Sequence, residues 1–332
     1  MQKNLPFIKG LELNKGFFSD VVEPLLGKKY PVLQYSAALL GYGSDVMGYD
    51  NETSMDHNWG PRLQLFVDEA KLIPEIDDYL KHELPFCYKG FPVNFSEPAY
   101  DLVQSMEFTD KKPIRHLIEI NTPLHYFGSR YSLNKLGHFS NEDWLAFNDQ
   151  ALLEITSGLV FHDGLGKINP LREELKFFPP DIYKLKLAAL WKNIWDNEAF
   201  IGRCIEIDDY IGLKINASRI AGFLMKILFY LEGKYIPYDK WFGTAFNELA
   251  IYKGIEKIIL DILNENVPKK IEENLCVLYE RVVDESNKNP ELPYIKNKVR
   301  DFFERPYKVI FAENIVDDLI NSIQDVGIRI KI

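Results

Sequence analysis

Leu39-Leu40-Gly41-Tyr42-Gly43-Ser44, followed by Asp56-His57-Asn58-Trp59-Gly60-Pro61-Arg62, decides the fold of this chain. An apolar run ends in a Gly-Ser turn, and a carboxylate arrives just ahead of a second apolar run, Leu63-Gln64-Leu65-Phe66-Val67. Gly43 lets the backbone turn tightly and approach a ligand closely. Ser44 adds a hydroxyl and an N–H, and a helix N-terminus there would concentrate positive potential. Asp56 and Asn58, read on one face of a strand, present hard oxygens to a divalent cation. Each piece alone is more often a turn or a loop than a site.

In this order and spacing the pieces resemble the active-site pattern of the DNA polymerase β-like nucleotidyltransferase superfamily: an apolar run, Gly-Ser, a short helix, two acids one residue apart on a strand, and a third acid on a later strand. The words GSDVMGYDNETSMDHNWGPRLQLF resemble a bacterial branch of it, a domain of unknown function with the signature Asp-His-Asp-Trp-Gly-Pro-Arg. Tyr235-Ile236-Pro237-Tyr238-Asp239-Lys240-Trp241-Phe242-Gly243-Thr244-Ala245-Phe246 and Phe161-His162-Asp163-Gly164-Leu165-Gly166 resemble two more words of that branch. The resemblance implies an Mg²⁺-dependent (or Mn²⁺-dependent) nucleotidyltransferase. It would move an NMP group from a nucleoside triphosphate such as ATP to a small-molecule or protein acceptor. Asp56 and Glu119 would be its catalytic acids. Asp56, Asn58 and Glu119 would hold the metal, and Gly43, Ser44, Arg62 and Lys240 would hold the nucleotide.

The chain departs from this pattern at Asn58, where the superfamily has a second acid. An amide oxygen coordinates a hard cation but brings no charge, and at close range that difference weakens metal binding by something like a few kcal/mol. A second expectation follows, a catalytically degenerate copy that binds nucleotide or a protein partner.

The other candidates each have a structural alternative. Glu119 lies inside the apolar run Leu117-Ile118-Glu119-Ile120, where a carboxylate needs a cation or a partner; Arg115 or Arg62 would satisfy it as a salt bridge. Arg62 offers paired donors to a phosphate or sits on a strand surface. Lys240 would offset charge on leaving pyrophosphate, and Trp241 either stacks on a base or fills the core. His57 is expected to point away from Asp56 and to make a structural hydrogen bond. His162-Asp163, with His125 or His138 and Asp208 or Asp209, imitates a His-Asp metal phosphohydrolase, but the glycines that follow read as a loop.

At 332 residues, 46% of them hydrophobic, the chain has length for two domains with their own cores. Three scattered cysteines suggest neither a zinc site nor a disulfide framework. With no basic-then-apolar segment in Met1-Gln2-Lys3-Asn4-Leu5-Pro6, a cytoplasmic location is expected. The net charge of −10 argues against binding extended nucleic acid through its backbone. Ile215–Leu231, the most apolar helical stretch, is too short for a membrane span.

Strands are expected over 36–41, 62–67 and 114–120, and helices over 11–26 and 75–84. Polar residues and glycines at 127–139 mark a boundary. Helices are then expected from Ser140 onward and near 181–197, 215–232, 247–264, 269–286, 293–304 and 312–324. The fold class read from this is α+β, a small mixed-sheet domain over 1–135 and an all-helical domain over 140–332.

Overall fold

The computed structural model describes residues 6–100 and 103–329, so Met1–Leu5, read above for an export signal, lie outside the described residues. The chain is α+β and divides into two compact units. The first takes residues 1–138 and 151–176, and the second takes 139–150 and 177–332.

The first unit opens with the expected helix as one unbroken helical run, α1 (Gly10–Phe17), a π-helical turn (Phe18–Val22) and α2 (Glu23–Lys29). Pro24, which has no N–H to donate, lies just after the π turn, and the irregular bonding of that turn accommodates it within the run. β1 (Tyr35–Leu39) follows, then a 3-10 turn (Glu52–Asp56), β2 (Arg62–Val67) and α3 (Ile73–Glu83). After the small hairpin β3 (Cys87–Tyr88) and β4 (Phe91–Pro92) come β5 (Leu117–Asn121) and α4 (Pro123–Tyr131). The chain then runs through α5 (Asn141–Ala146) in the second unit. It returns along α6 (Asp149–Thr156) to β6 (Leu159–Asp163) and α7 (Ile168–Glu174).

Among the described residues the main sheet has four strands in the order β5-β2-β1-β6. β1 is antiparallel to β2 and β6, and β2 is parallel to β5. β6 departs from the sequence pattern, in which the glycines after His162-Asp163 read as a loop within a helical run. Leu159 and Val160 pair with Leu39 and Ala38, so the strand is defined by its partner and not by its own alternation.

Side chains alternate across the sheet. Ala37, Leu63, Leu65, Val67 and Ile118 point to one face and form a core with Leu13, Phe17, Leu26, Ile76 and Leu80 of α1, α2 and α3. Arg62, Gln64 and Phe66 of β2 share the other face with Glu119 and Asn121 of β5, register partners of Gln64 and Phe66. There Phe66 packs on Tyr126 and Phe127 of α4, with ring centroids 5.3 and 5.9 Å apart.

The second unit continues through α8 (Pro180–Glu206), α9 (Tyr210–Leu231), α10 (Asp239–Phe246), α11 (Glu256–Asn264) and α12 (Pro268–Ser286). A two-stranded ribbon, β7 (Arg300–Asp301) with β8 (Lys308–Val309), then precedes α13 (Ala312–Ser322) and α14 (Val326–Arg329). α8 packs against α9 and α13. Phe178 meets Tyr230 and Tyr235 at 5.4 and 5.0 Å, and Asp149 accepts from the Tyr230 hydroxyl at 3.0 Å.

Of the expected helices, one is shortened and one is not helical at all. Glu232 accepts the N–H groups of Ala250 and Ile251, so 247–255 holds a 3-10 turn and only 256–264 is α-helical. Residues 293–304 are extended and end in the ribbon, because the Asn287 side chain binds both the N–H and the C=O of Ile295. Among the described residues no helix is long and apolar enough to cross a membrane.

Glu198 of α8 is buried, and its carboxylate accepts the N–H groups of Ile310, Phe311 and Ala312 at 2.9 to 3.1 Å. Burial outweighs these bonds and lifts its pKa to about 7. The raised value means that stability from this group is full below the ordinary carboxyl range and is lost as pH rises through about 7. The second unit is therefore expected to melt lower at pH 8 than at pH 5, by on the order of 3 kcal/mol from this group. Thermal denaturation of Glu198→Gln checks this, since an unchanged pH slope in the variant would rule Glu198 out as its source.

Candidate functional site

The polar face of the sheet leads to the turn that follows β1. Gly43 sits at φ 129°, and a side-chain carbon there would overlap the Asp45 carboxylate and the Arg62 guanidinium. The position therefore excludes every residue but glycine on both conformation and space. Residues 44–48 form turns and not the expected helix, with Gly48 N–H bonded to Asp45 O and Tyr49 N–H to Ser44 O. The N–H groups of Tyr42, Gly43 and Ser44 have no acceptor among the described residues, nor has the Ser44 hydroxyl a partner. Successive unpaired amides of this kind make a concavity suited to an anion.

Beneath the turn lies a buried ion pair. Arg62, 3% exposed, donates from Nε and Nη2 to Asp45, 2% exposed, at 2.8 to 3.2 Å, and from Nη2 to Tyr42 O at 3.1 Å. The Arg62 backbone N–H donates to Asn14 Oδ1 at 2.6 Å. Asp45 holds the guanidinium above its ordinary pKa against the cost of burial. Arg62 thus reaches the turn, as a strut that shapes it and with its charge already paired.

A second arginine stands beside the turn. Arg130 of α4 donates to both oxygens of Glu119 at 3.1 Å and lies 5.2 Å from the Tyr42 ring centroid and 4.9 Å from that of Tyr126. Arg62 lies 5.3 Å from the same Tyr42 ring. The buried Tyr126 hydroxyl has no hydrogen-bond partner, and a side chain at Gly41 would run into it. Its pKa is raised, by burial first, so it stays protonated and keeps a donor unused beside the turn.

The residues read as metal ligands are each engaged by a different neighbour. Asp56 closes the 3-10 turn ahead of β2, which starts at Arg62, so Asp56 and Asn58 do not share a strand face. Asp56 is exposed, and its carboxylate is 2.9 Å from Nδ1 of His57, which turns toward it and not away. Asn58 is left-handed at φ 48°, a conformation asparagine tolerates, and is clamped to Gln104: its N–H donates to Gln104 O at 2.7 Å and its Oδ1 accepts from Gln104 N–H at 2.9 Å. Glu119 is neutralised by Arg130. No hydrogen bond or ion pair joins Asp56, Asn58 and Glu119. Among the described residues no three His, Cys, Asp or Glu side chains gather to hold a metal. Asp56 beside His57, Asn58 held by Gln104 and Glu119 held by Arg130 would each have to exchange a partner before serving a divalent ion.

Other words of the sequence resolve into structure. Trp59, 2% exposed, donates its indole N–H to Asp50 at 3.1 Å and meets the Phe91 ring at 5.3 Å. Asp163 caps α7: burial opposes its charge, but the Ser36 hydroxyl and the N–H groups of Asn169, Ile168 and Lys167 hold its pKa below the usual range. His162 lies on the Tyr35 ring at 4.7 Å. Lys240, in the second unit, is exposed and sits 4.9 Å from the Trp241 ring centroid. Sequence reading missed Asp45, Arg130 and Tyr126. Asp45 directly follows Gly43-Ser44 and was the one within reach of a motif argument, whereas Arg130 meets Glu119 only through the packing of α4 on the sheet.

A family described as a domain of unknown function (DUF4037) matches residues 144–242, which include two of the words quoted above in whole or part but not the turn at Gly43. None of the curated proteins matches the sequence. Among solved structures the chain is similar to a nucleotidyltransferase-like protein from Exiguobacterium sibiricum 255-15, at 12% identity and a TM-score of 0.35, over 84% of this chain and 77% of that one.

Replacing Asp45 by Asn should strand a buried guanidinium and cost about 3–5 kcal/mol of stability, whereas the double change Asp45→Leu with Arg62→Met should cost far less. Urea denaturation of the two variants checks the sign, and equal losses would remove the strut role.

Proposed function

We propose that the first unit binds the phosphates of a nucleoside triphosphate at the turn Gly41–Asp45 without turning it over, a nucleotide-binding protein built on the nucleotidyltransferase pattern. The observation that carries this reading is the row of unpaired N–H groups at Tyr42, Gly43 and Ser44 over a buried arginine. Backbone donors read the phosphate chain, and Gly43 admits it closely. Arg130 supplies positive charge at the edge, shared with Glu119 and spread against the Tyr42 ring. The missing acid at Asn58, committed to Gln104, is what separates binding from transfer.

A second reading is Mg²⁺-dependent (or Mn²⁺-dependent) transfer of an NMP group to a small-molecule or protein acceptor, with Asp56 and Glu119 as acids. The exposed Asp56 carboxylate favours it, because among the described residues only His57 engages that side chain. In that case the helical second unit, with Lys240, would serve the acceptor or the leaving pyrophosphate. A Lys240→Ala variant should then raise the triphosphate concentration needed for turnover.

Calorimetric titration with each triphosphate, in EDTA and in Mg²⁺, tests both readings. The expected result is saturable binding that survives EDTA, weakened at least about tenfold by Gly43→Ala, with no pyrophosphate released. Pyrophosphate release by the unaltered protein in Mg²⁺ would establish the second reading instead, and no binding of any triphosphate at millimolar concentration would end both. Asn58→Asp keeps the acceptor for the Gln104 N–H and restores a charge, so it should raise Mg²⁺ affinity.

A further inference from the structure

α9 of the second unit carries an apolar stripe that its neighbours leave uncovered. Ile211, Ile215, Ser218, Gly222 and Met225 recur at spacings of three and four, so they share one face of the helix. The first two are bulky and stand in solvent, at 76% and 50% exposure. Ile207, also exposed, lies just ahead of the helix and extends the patch. The next two are small. There the stripe runs into a cavity of about 440 Å³, lined by Ser218 and Gly222 and by apolar side chains of α10 and α11, Phe242, Leu260 and Leu263 among them. Leu260 and Leu263 are themselves exposed. A contiguous apolar patch of this kind on a folded surface marks a place where another surface docks.

Two observations say what docks. The first is shape. A glycine inside a helix costs stability, and its own unit makes no use of Gly222: a side-chain carbon there would meet no atom within 4 Å. The bare position suits a group arriving from outside the chain. The stripe therefore presents knobs in its N-terminal half and holes in its C-terminal half, and a helix built this way is complementary to itself when reversed. A two-fold axis between Asn216 and Ala217 sets Ile211 of each copy over Gly222 of the other, and Ile215 over Ser218. Contacts related by such an axis occur twice and close the assembly at two copies.

The second observation is charge. Neither the Asp208 carboxylate nor the Lys226 ammonium has a hydrogen bond or ion pair among the described residues. The same two-fold brings Asp208 of one copy to within one residue of a position opposite Lys226 of the other, at both ends of the stripe. The other basic groups of the helix are engaged inside the unit. Lys214 donates to the carbonyls of Leu263 and Glu265, and Arg219 donates to Asn197 and Asn216. One register thus satisfies size and charge together, which a foreign helix would have no reason to do.

We propose that the chain pairs with a second copy of itself through α9, antiparallel about this axis, with Ile211 and Ile215 of each copy seated over the small residues of the other. Burial of the isoleucines and of Leu260 and Leu263 drives the association, and the Asp208–Lys226 pairs fix its register.

Sedimentation equilibrium of the full chain from about 1 to 100 µM tests this, and a dimer is expected within that range. Gly222→Leu should leave a monomer whose melting temperature is unchanged or raised, because the new side chain fills the hole without touching its own chain and leucine favours the helix. Ile211→Asp, at an exposed position, should also leave a folded monomer. Lys226→Glu should weaken the dimer at least about tenfold at low salt, and Asp208→Lys added to the same chain should restore it. A chain that stays monomeric at about 100 µM overturns the proposal and leaves the face to a helix of another protein or to an apolar small molecule. A dimer that persists in Gly222→Leu and Ile211→Asp, or one that the double charge reversal does not restore, overturns it equally.

Discussion

The buried ion pair of Arg62 and Asp45 is the constraint on which the first unit depends. Moving both charges out of water is costly, and the geometry compensates only because the guanidinium meets Asp45 and the Tyr42 carbonyl together. Arg62 opens β2 and Asp45 lies in the turn after β1, so the pair fastens the two strands at the end where the backbone amides are free. Gly43 is fixed by the same pair, since its missing side chain makes room for both partners. A lysine in place of Arg62 would have the charge without the planar fork that spans two acceptors.

The alternation of β2 explains how one strand serves a core and a site. Leu63, Leu65 and Val67 close the apolar layer against α1, α2 and α3, while Arg62, Gln64 and Phe66 face α4. Gln64 ties the start of the turn by accepting the Leu40 N–H at 2.8 Å, and Glu119 lies beside it in register on β5. Here the polar face becomes a network in which every acid already has a basic or amide partner. Such a network leaves little unpaired negative charge on that face, which supports the binding reading proposed above over transfer.

The legible part of the fold was local. The apolar run before Gly-Ser, the run after Arg62 and the Ser140 cap, with its bond to Asp143 N–H, are short-range patterns, and each became the expected element or cap. What failed depended on partners far along the chain. Leu159–Asp163 is a strand because β1 offers it an open edge, and 293–304 is extended because Asn287 binds Ile295. The site shows the same division. Gly43 and Ser44 were placed at a turn by their own chemistry. Asp56, Asn58 and His57 were misplaced because a carboxylate-x-amide pattern does not specify whether the strand begins before it or after it.

The sequence by itself determined an α+β chain with a Gly-Ser turn between two buried strands, since hydrophobic period and the steric freedom of glycine are properties of neighbouring residues. Tertiary structure alone decided which charges remain free. Arg62 is paired with Asp45, Glu119 with Arg130 and Asn58 with Gln104. Each of those pairings joins residues well apart in the chain, and a charge's availability is set by what folding brings within hydrogen-bond reach of it.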